Sequence, residues 1–237
     1  MLGKILGYLF NFIYDQLASM GSEPANFSFL AMTIIISTVV VKLLVLPLQI
    51  SSTKKMKKTA DLQPKVKEIQ EKYGYDQQIA SQKVMELYRK EGASITGGCL
   101  PLLIQFPILI AFFQVCQNPA INAFGAEKYA AMQKTFFWIK DLSVADPYWY
   151  GLPLIATAVT FLMSVTTPKV GITDENQAKS MNIMQYFMPM MTFFFTIKYP
   201  AGLALYWGVS SLFAAIQQFV QNRIIKKEEV IVSEKEI

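Results

Sequence analysis

Residues 29–50 read FLAMTIIISTVVVKLLVLPLQI. From position 29 to position 48 the run carries one charge, Lys42. About 20 apolar residues at helical rise cover the ~30 Å hydrocarbon layer of a bilayer, so the stretch predicts a membrane-crossing helix. Asn26 or Ser28 supplies its starting cap after Gly21-Ser22-Glu23-Pro24. Four further apolar blocks lie outward from it, at 100–117, 148–166, 182–197 and 202–220. The fourth span of the set, 182–197, is short, which a polar neighbour or a locally thin bilayer accommodates. The expected fold class is an all-α membrane protein with five transmembrane helices.

Composition agrees. Of 237 residues 53% are apolar and only 16% charged, against about 25% charged in soluble chains; mean hydropathy is +0.32. The net charge of +5 raises the question of nucleic acid, but Arg occurs only at Arg89 and Arg223 and no basic, aromatic-interleaved surface forms a separable domain. No direct nucleic-acid partner is expected.

Basic residues sort instead by side of the membrane. Segment 51–98 holds ten Lys or Arg, 167–180 two and the tail after Gln221 four, while the opposite connections hold five: Lys4, Lys128, Lys134, Lys140 and Lys198. Sixteen against five places 51–98 and the C-terminus in the cytoplasm and the N-terminus outside, as five spans require.

The organisation that follows has five parts. Residues 1–24 put Leu2, Ile5, Leu6, Leu9, Phe12, Ile13 and Leu17 at helical spacing, and a helix lying in the interface suits the pattern. A signal sequence is the other reading, although Met20 stands where a lipidated Cys would have to be. Residues 25–50 form the first span. Residues 51–98 form a cytoplasmic helical hairpin, with apolar seams Leu62, Val66, Ile69, Tyr73 and Ala80, Val84, Leu87 on either side of Gly74. Pro64 kinks the first arm or marks where it begins again, and 92–98 forms a flexible re-entry. Residues 99–222 hold spans two to five, and 223–237 a cytoplasmic tail.

The chain has no His and two Cys, Cys99 and Cys116. It offers no His-based acid–base chemistry or zinc site, and it contains neither a G-x-x-x-x-G-K-[ST] nor a G-x-G-x-x-G sequence to cradle phosphates. No cofactor, metal or covalent catalysis is expected.

Lys42 is the candidate working residue. Six residues before the end of its span, it lies about 9 Å deep by helix rise. Snorkelling of the stem accounts for such a Lys; a water-containing cavity accounts for it as well, because a Lys left in lipid costs about 2.5 kcal/mol or more. Polar stripes favour the cavity: Thr38, Lys42 and Gln49 in the first span, Thr157, Thr160, Ser164 and Thr167 in the third, Asn182, Gln185, Thr192 and Thr196 in the fourth, Tyr206, Ser210, Gln217 and Gln221 in the fifth. Hydroxyls at such positions also serve plain interhelical hydrogen bonding. Gln105 and Gln114 fall on opposite faces of the second span, so at most one joins the rest. Met181, Met184, Met188, Met190 and Met191 add a pliable apolar wall. A concavity of this kind suits a polypeptide passing partly through the membrane.

Several motifs resemble the YidC/Oxa/Alb membrane protein insertase family: 42–48 (KLLVLPL), 62–64 (LQP), 97–108 (GGCLPLLIQFPI), 138–143 (WIKDLS) with Asp146-Pro147-Tyr148, and 199–207 (YPAGLALYW). The likeness covers about residues 25–222 in order and spacing. It implies a five-helix core around a hydrophilic groove open to cytoplasm and lipid. Nascent membrane proteins are the implied substrates; the lipid bilayer, the Sec translocon and the ribosome are the implied partners, in a bacterial plasma membrane. It puts the groove cation, usually Arg, at Lys42, a groove hydroxyl at Thr38, and an aromatic pair at Tyr206 and Trp207. Gln49, Gln105, Gln185 and Ser210 complete the expected lining. Lys keeps the charge of Arg and loses its planar fork. The short form typical of Gram-positive bacteria is the expected type, and a tail with four acidic against four basic groups argues against strong tail-driven ribosome binding. A small-solute transporter is the competing reading, disfavoured by the lack of an inverted repeat in hydropathy; an assembly factor follows if the stripes are packing contacts.

Overall fold

The computed structural model describes the backbone of residues 2–93, 100–166 and 175–235, and within these the side chains of all but 100–102, 175–182, 184 and 225–235. Nine α-helices account for the described chain: α1 (Leu2–Met20), α2 (Phe29–Asp61), α3 (Gln63–Tyr73), α4 (Gln77–Lys90), α5 (Leu100–Gln117), α6 (Ala126–Ala131), α7 (Leu152–Thr166), α8 (Glu175–Lys198) and α9 (Ala201–Lys235). A π-helical turn at Ala120–Phe124 precedes α6. The chain divides into two compact bodies, a bundle from 2–44, 107–166 and 186–235 and a hairpin body from the described residues of 45–106 and 175–185. The glycine-rich re-entry at 94–98, Cys99, Thr167 and most of the 167–180 loop lie outside the described residues, as do the side chains of Asn182 and Met184.

In the bundle, α2 starts where chemistry permits. The Ser28 hydroxyl accepts from Ala31 N–H at 3.2 Å and the Glu23 carboxylate accepts from Phe29 N–H, so two of the helix's orphan donors are satisfied. Asp146 does the same for α7. Its carboxylate accepts from Leu152 N–H (2.7 Å), Tyr148 N–H (3.0 Å) and the Trp138 indole (3.2 Å). Residues 148–151 therefore close a turn and the helix begins at Leu152, four residues later than the apolar run. Gly151 is required there, because a Cβ would come within 2.4 Å of the Asp146 carboxylate.

A loop-rich cap gathers these helix ends. Ser28 N–H donates to Thr135 C=O, while Ala201 and Gly202 N–H donate to Val144 and Leu142 C=O at 2.7 and 2.9 Å. Helices α2 and α9 thus both leave the cap, and Ile34 packs beside Gly202. Beneath the cap Phe112 of α5 stacks on Tyr206 of α9 at 4.0 Å and meets Phe10 of α1 edge-on at 5.6 Å. This places α1 against the bundle: Gly3 N–H donates to the Gln114 side chain at 3.1 Å, and Gly7 lies so close to Asn122 C=O that no Cβ fits. Lys128 ties the helix down through Asn11 and Asp15. Gln114 is thereby engaged at the start of α1.

Burial in the bundle departs from that of a water-soluble protein. Beside an apolar core around Phe10, Phe112 and Leu203, polar Thr33, Ser37, Thr38, Lys42, Thr160, Thr192 and Thr196 are buried, whereas Phe161, Phe187, Phe194, Leu212, Ile216 and Phe219 are exposed. Large exposed apolar faces around an interior that also holds polar side chains are what a lipid solvent permits and water does not. By length and composition α2 and residues 201–224 are each able to cross a membrane, and 103–117 and 152–166 are shorter apolar helices. The chain is an all-α membrane protein.

In the hairpin body α2 continues as one helix through Pro47 to Asp61, past position 50 where the apolar signal stops. Pro64 lies in the first turn of α3, where its missing N–H is harmless. The Asp76 side chain accepts from Gln78 and Ile79 N–H at 3.0 and 3.1 Å to start α4. Helices α3 and α4 pack on one another through buried Leu62, Val66 and Ala80, and Lys65 bridges to Glu91 at 3.0 Å. The charged sequence between the spans is thus a hairpin of α3 and α4 following the end of α2.

Candidate functional site in the bundle

The side chain that decides the site is Lys42, which is 4% exposed. One turn earlier the Thr38 hydroxyl is buried and donates to Ile34 C=O at 2.6 Å. Ser37, which the spacing argument did not single out, is fully buried beside it with a hydroxyl that has no hydrogen-bond partner. Its signal was only its adjacency to Thr38. Across from α2, Ser210 of α9 is buried. Lys42 is eight residues beyond Ile34 and Ser210 eight beyond Gly202, so both stand about 12 Å along their helices from the same contact near the cap. Both the cation and the hydroxyl are buried within the bundle.

Other expected members fall differently. Tyr206 is buried as a packing ring on Phe112, in the apolar core cluster with Leu203, Leu205 and Ile34. Trp207 is half-buried with its ring 5.9 Å from Phe195. Gln49, Gln105 and Gln185 are half-buried and belong to the hairpin body; the structure groups only Thr38, Lys42, Tyr206, Trp207 and Ser210 in the bundle.

The stripes of the third and fourth spans are largely engaged by the helices themselves. Thr160 donates to Ala156 C=O at 2.7 Å and shares a 3.0 Å hydrogen bond with Ser211 of α9, a residue outside every predicted stripe. Thr192 and Thr196 donate to Met188 and Thr192 C=O. The Thr160–Ser211 bond joins two helices, the kind of contact that holds membrane helices together, whereas Thr192 and Thr196 are satisfied within α8. On α9 the opposite is true of the amides: the Gln221 Oε1 and Nε2 and the Gln217 Oε1 are buried without a hydrogen-bond partner. Among the described residues no group of three or more Cys, Asp or Glu could hold a metal ion.

A family model described as 60Kd inner membrane protein matches residues 24–228. The chain belongs to this family. Among its relatives, the protein of Fusobacterium nucleatum named membrane protein insertase YidC is 36% identical over 90% of this chain and 97% of its own length. The protein of the same name from Campylobacter jejuni is 38% identical over 96% of this chain, which spans 38% of that longer relative. In structure, the bundle and hairpin resemble a crystal structure of an active YidC insertase with the first transmembrane domain resolved, with a TM-score of 0.58 and 25% identity, covering 87% of this chain and 43% of that one. The chain is a bacterial member of the 60Kd inner membrane protein family.

Proposed function

We propose that this chain is a membrane protein insertase that lowers the barrier for moving a short polar segment of a nascent membrane protein across the bacterial plasma membrane. The observation that carries the reading is Lys42: a cation buried inside a bundle that exposes large apolar side chains. A polar segment entering that region meets a positive charge and hydroxyls part-way through the bilayer, so the distance it crosses without polar company shrinks. Apolar parts of the substrate partition into lipid on their own. No covalent bond is made or broken and no nucleotide is consumed, so the catalysis is of a topology change.

Five spans, α2, α5, α7, α8 and α9, put the α3–α4 hairpin and the C-terminus in the cytoplasm and the cap with α1 outside, following the distribution of Lys and Arg. The lining consists of Thr38 and Lys42 of α2 with Tyr206, Trp207 and Ser210 of α9 in the bundle; Gln49, Gln105 and Gln185 are the candidates carried by the hairpin body. The hairpin receives the nascent chain, in company with the ribosome or the Sec translocon.

The test is insertion of a single-span substrate with an acidic outside tail into vesicles holding the purified chain. Lys42→Ala weakens insertion, Lys42→Glu abolishes it, and Lys42→Arg retains it. Full insertion by both Ala and Glu variants overturns the charge mechanism.

A further inference from the structure

Gln217 and Gln221 stand one turn apart on α9, off the face that meets α7. The α7 side is fixed by Ser211, bonded to Thr160, by Gly208, packed on Ala156, and by Asn222, whose amide donates to Thr166 C=O. At 100° per residue these three positions share a face. By the same count the two glutamines lie about 150° and 105° round the helix from that face, in line with Tyr206 and Ser210. They lie about 10 and 16 Å beyond Ser210 along α9 by rise, away from the cap.

Gln221 is 8% exposed, yet neither polar atom of its amide has a partner, and the buried Gln217 Oε1 has none either. Buried polar groups are almost always satisfied, so this pair has an unmet demand for hydrogen-bond partners that the chain itself does not supply. Carboxamides are neutral, each with two N–H donors and one acceptor oxygen. That is the complement of a peptide group, and it discriminates against neither sign of charge. Their spacing also fits: four residues of helix rise about 6 Å, close to the ~6.6 Å two-residue repeat of an extended chain, at which peptide groups point the same way.

We propose that Gln217 and Gln221 form a main-chain binding site, which holds the extended polar segment of a substrate by its peptide N–H and C=O groups regardless of its side chains. Lys42 then selects for acidic segments, while the amide pair accepts any sequence. The inference rests on the insertase reading and names how that groove recognises its substrate.

The test uses the full chain in vesicles with Gln217→Met, Gln221→Met and the double variant. Three single-span substrates carry neutral outside segments of equal length: Ser-rich, Thr-rich, and one in which alternate residues are Pro, which removes peptide N–H donors. The double variant is expected to slow insertion of the Ser-rich and Thr-rich substrates alike, by about tenfold for two lost hydrogen bonds, and the Pro-containing one less. Its melting temperature should stay the same or rise, since an unsatisfied buried amide is replaced by an apolar side chain of similar shape. Unchanged insertion, a loss confined to one side-chain sequence, an equal loss on the Pro-containing segment, or a loss accompanied by lower thermal stability each overturns the main-chain site. Lys42→Ala is run beside it on the acidic substrate. If only that variant is defective, the amide site fails and the groove stands; if neither is, both fail.

Discussion

Ile110 on α5 and Ile79 on α4 are the same residue type with the same exposure, 37% each, and their surroundings assign them opposite solvents. In the bundle that holds Ile110, apolar side chains such as Phe161, Leu212 and Phe219 lie exposed while Thr38, Lys42 and Thr192 are buried beside the apolar core. Around Ile79 the hairpin of α3 and α4 keeps Leu62, Val66 and Ala80 inside and displays ion pairs, Lys65–Glu91, Lys67–Glu71 and Lys83–Glu86. Exposure therefore identifies what a residue faces only when it is read with the polarity of what is buried behind it. One chain contains both grammars, the first written for lipid and the second for water.

The most disruptive way to break that comparison is to place one charge at both positions. Ile110→Lys puts an ammonium near the middle of a span and should cost about 2.5–3.5 kcal/mol, whereas Ile79→Lys at a water-facing position should change stability by no more than about 0.5 kcal/mol. Unfolding of the lipid-reconstituted full chain measures both. Equal losses would mean that the two faces meet the same solvent.

A smaller effect sharpens the bundle side. Thr160→Val removes the hydrogen bond shared with Ser211 and keeps the shape, so the α7–α9 contact should weaken by about 0.6 kcal/mol, the average for interhelical hydrogen bonds in lipid. Insertion should be unaffected, because this hydroxyl is engaged between helices. A larger loss of insertion than of stability would return Thr160 to the groove lining.

How far these two grammars could be read in the sequence depended on whether a residue's type or its neighbour decided the outcome. The run 29–48 announced a span by type alone, and the Pro64 restart and the Leu62–Val66 seam were legible for the same reason. The continuation of α2 to Asp61 was not, because beyond Leu48 the apolar signal ends while Lys, Met and Ala still favour helix. Tyr206 shares a period with Ser210, but the stacking of its ring on Phe112, ninety-four residues away in the chain, could not be read from that period. The start of α7 at Leu152 was equally invisible, since it follows from Asp146 accepting three hydrogen bonds across a turn. Lys42 was found because a charge within an apolar run is conspicuous whatever surrounds it; Ser37 and Ser211, small and common in spans, were not.

The mildest probe lies on the water side. In the hairpin the Glu91 carboxyl is held below the ordinary glutamate range, first by the hydrogen bond Lys65 donates to it and next by the charge of Lys65, with Lys90 and Lys58 adding to it. A carboxyl whose folded-state pKa is depressed contributes stability above its unfolded value of about 4.3, and that contribution disappears as pH falls through the folded value. The α3–α4 tie should thus persist at neutral pH and loosen only below the usual carboxylate range. Carboxyl NMR of the full chain in bicelles should find the Glu91 midpoint depressed, returning toward the ordinary value in Lys65→Ala and at high salt, where exposed charges about a Debye length apart are screened. Salt-insensitivity would show that Glu91 is shielded from water, and the hairpin would then no longer serve as the aqueous counterpart of the bundle.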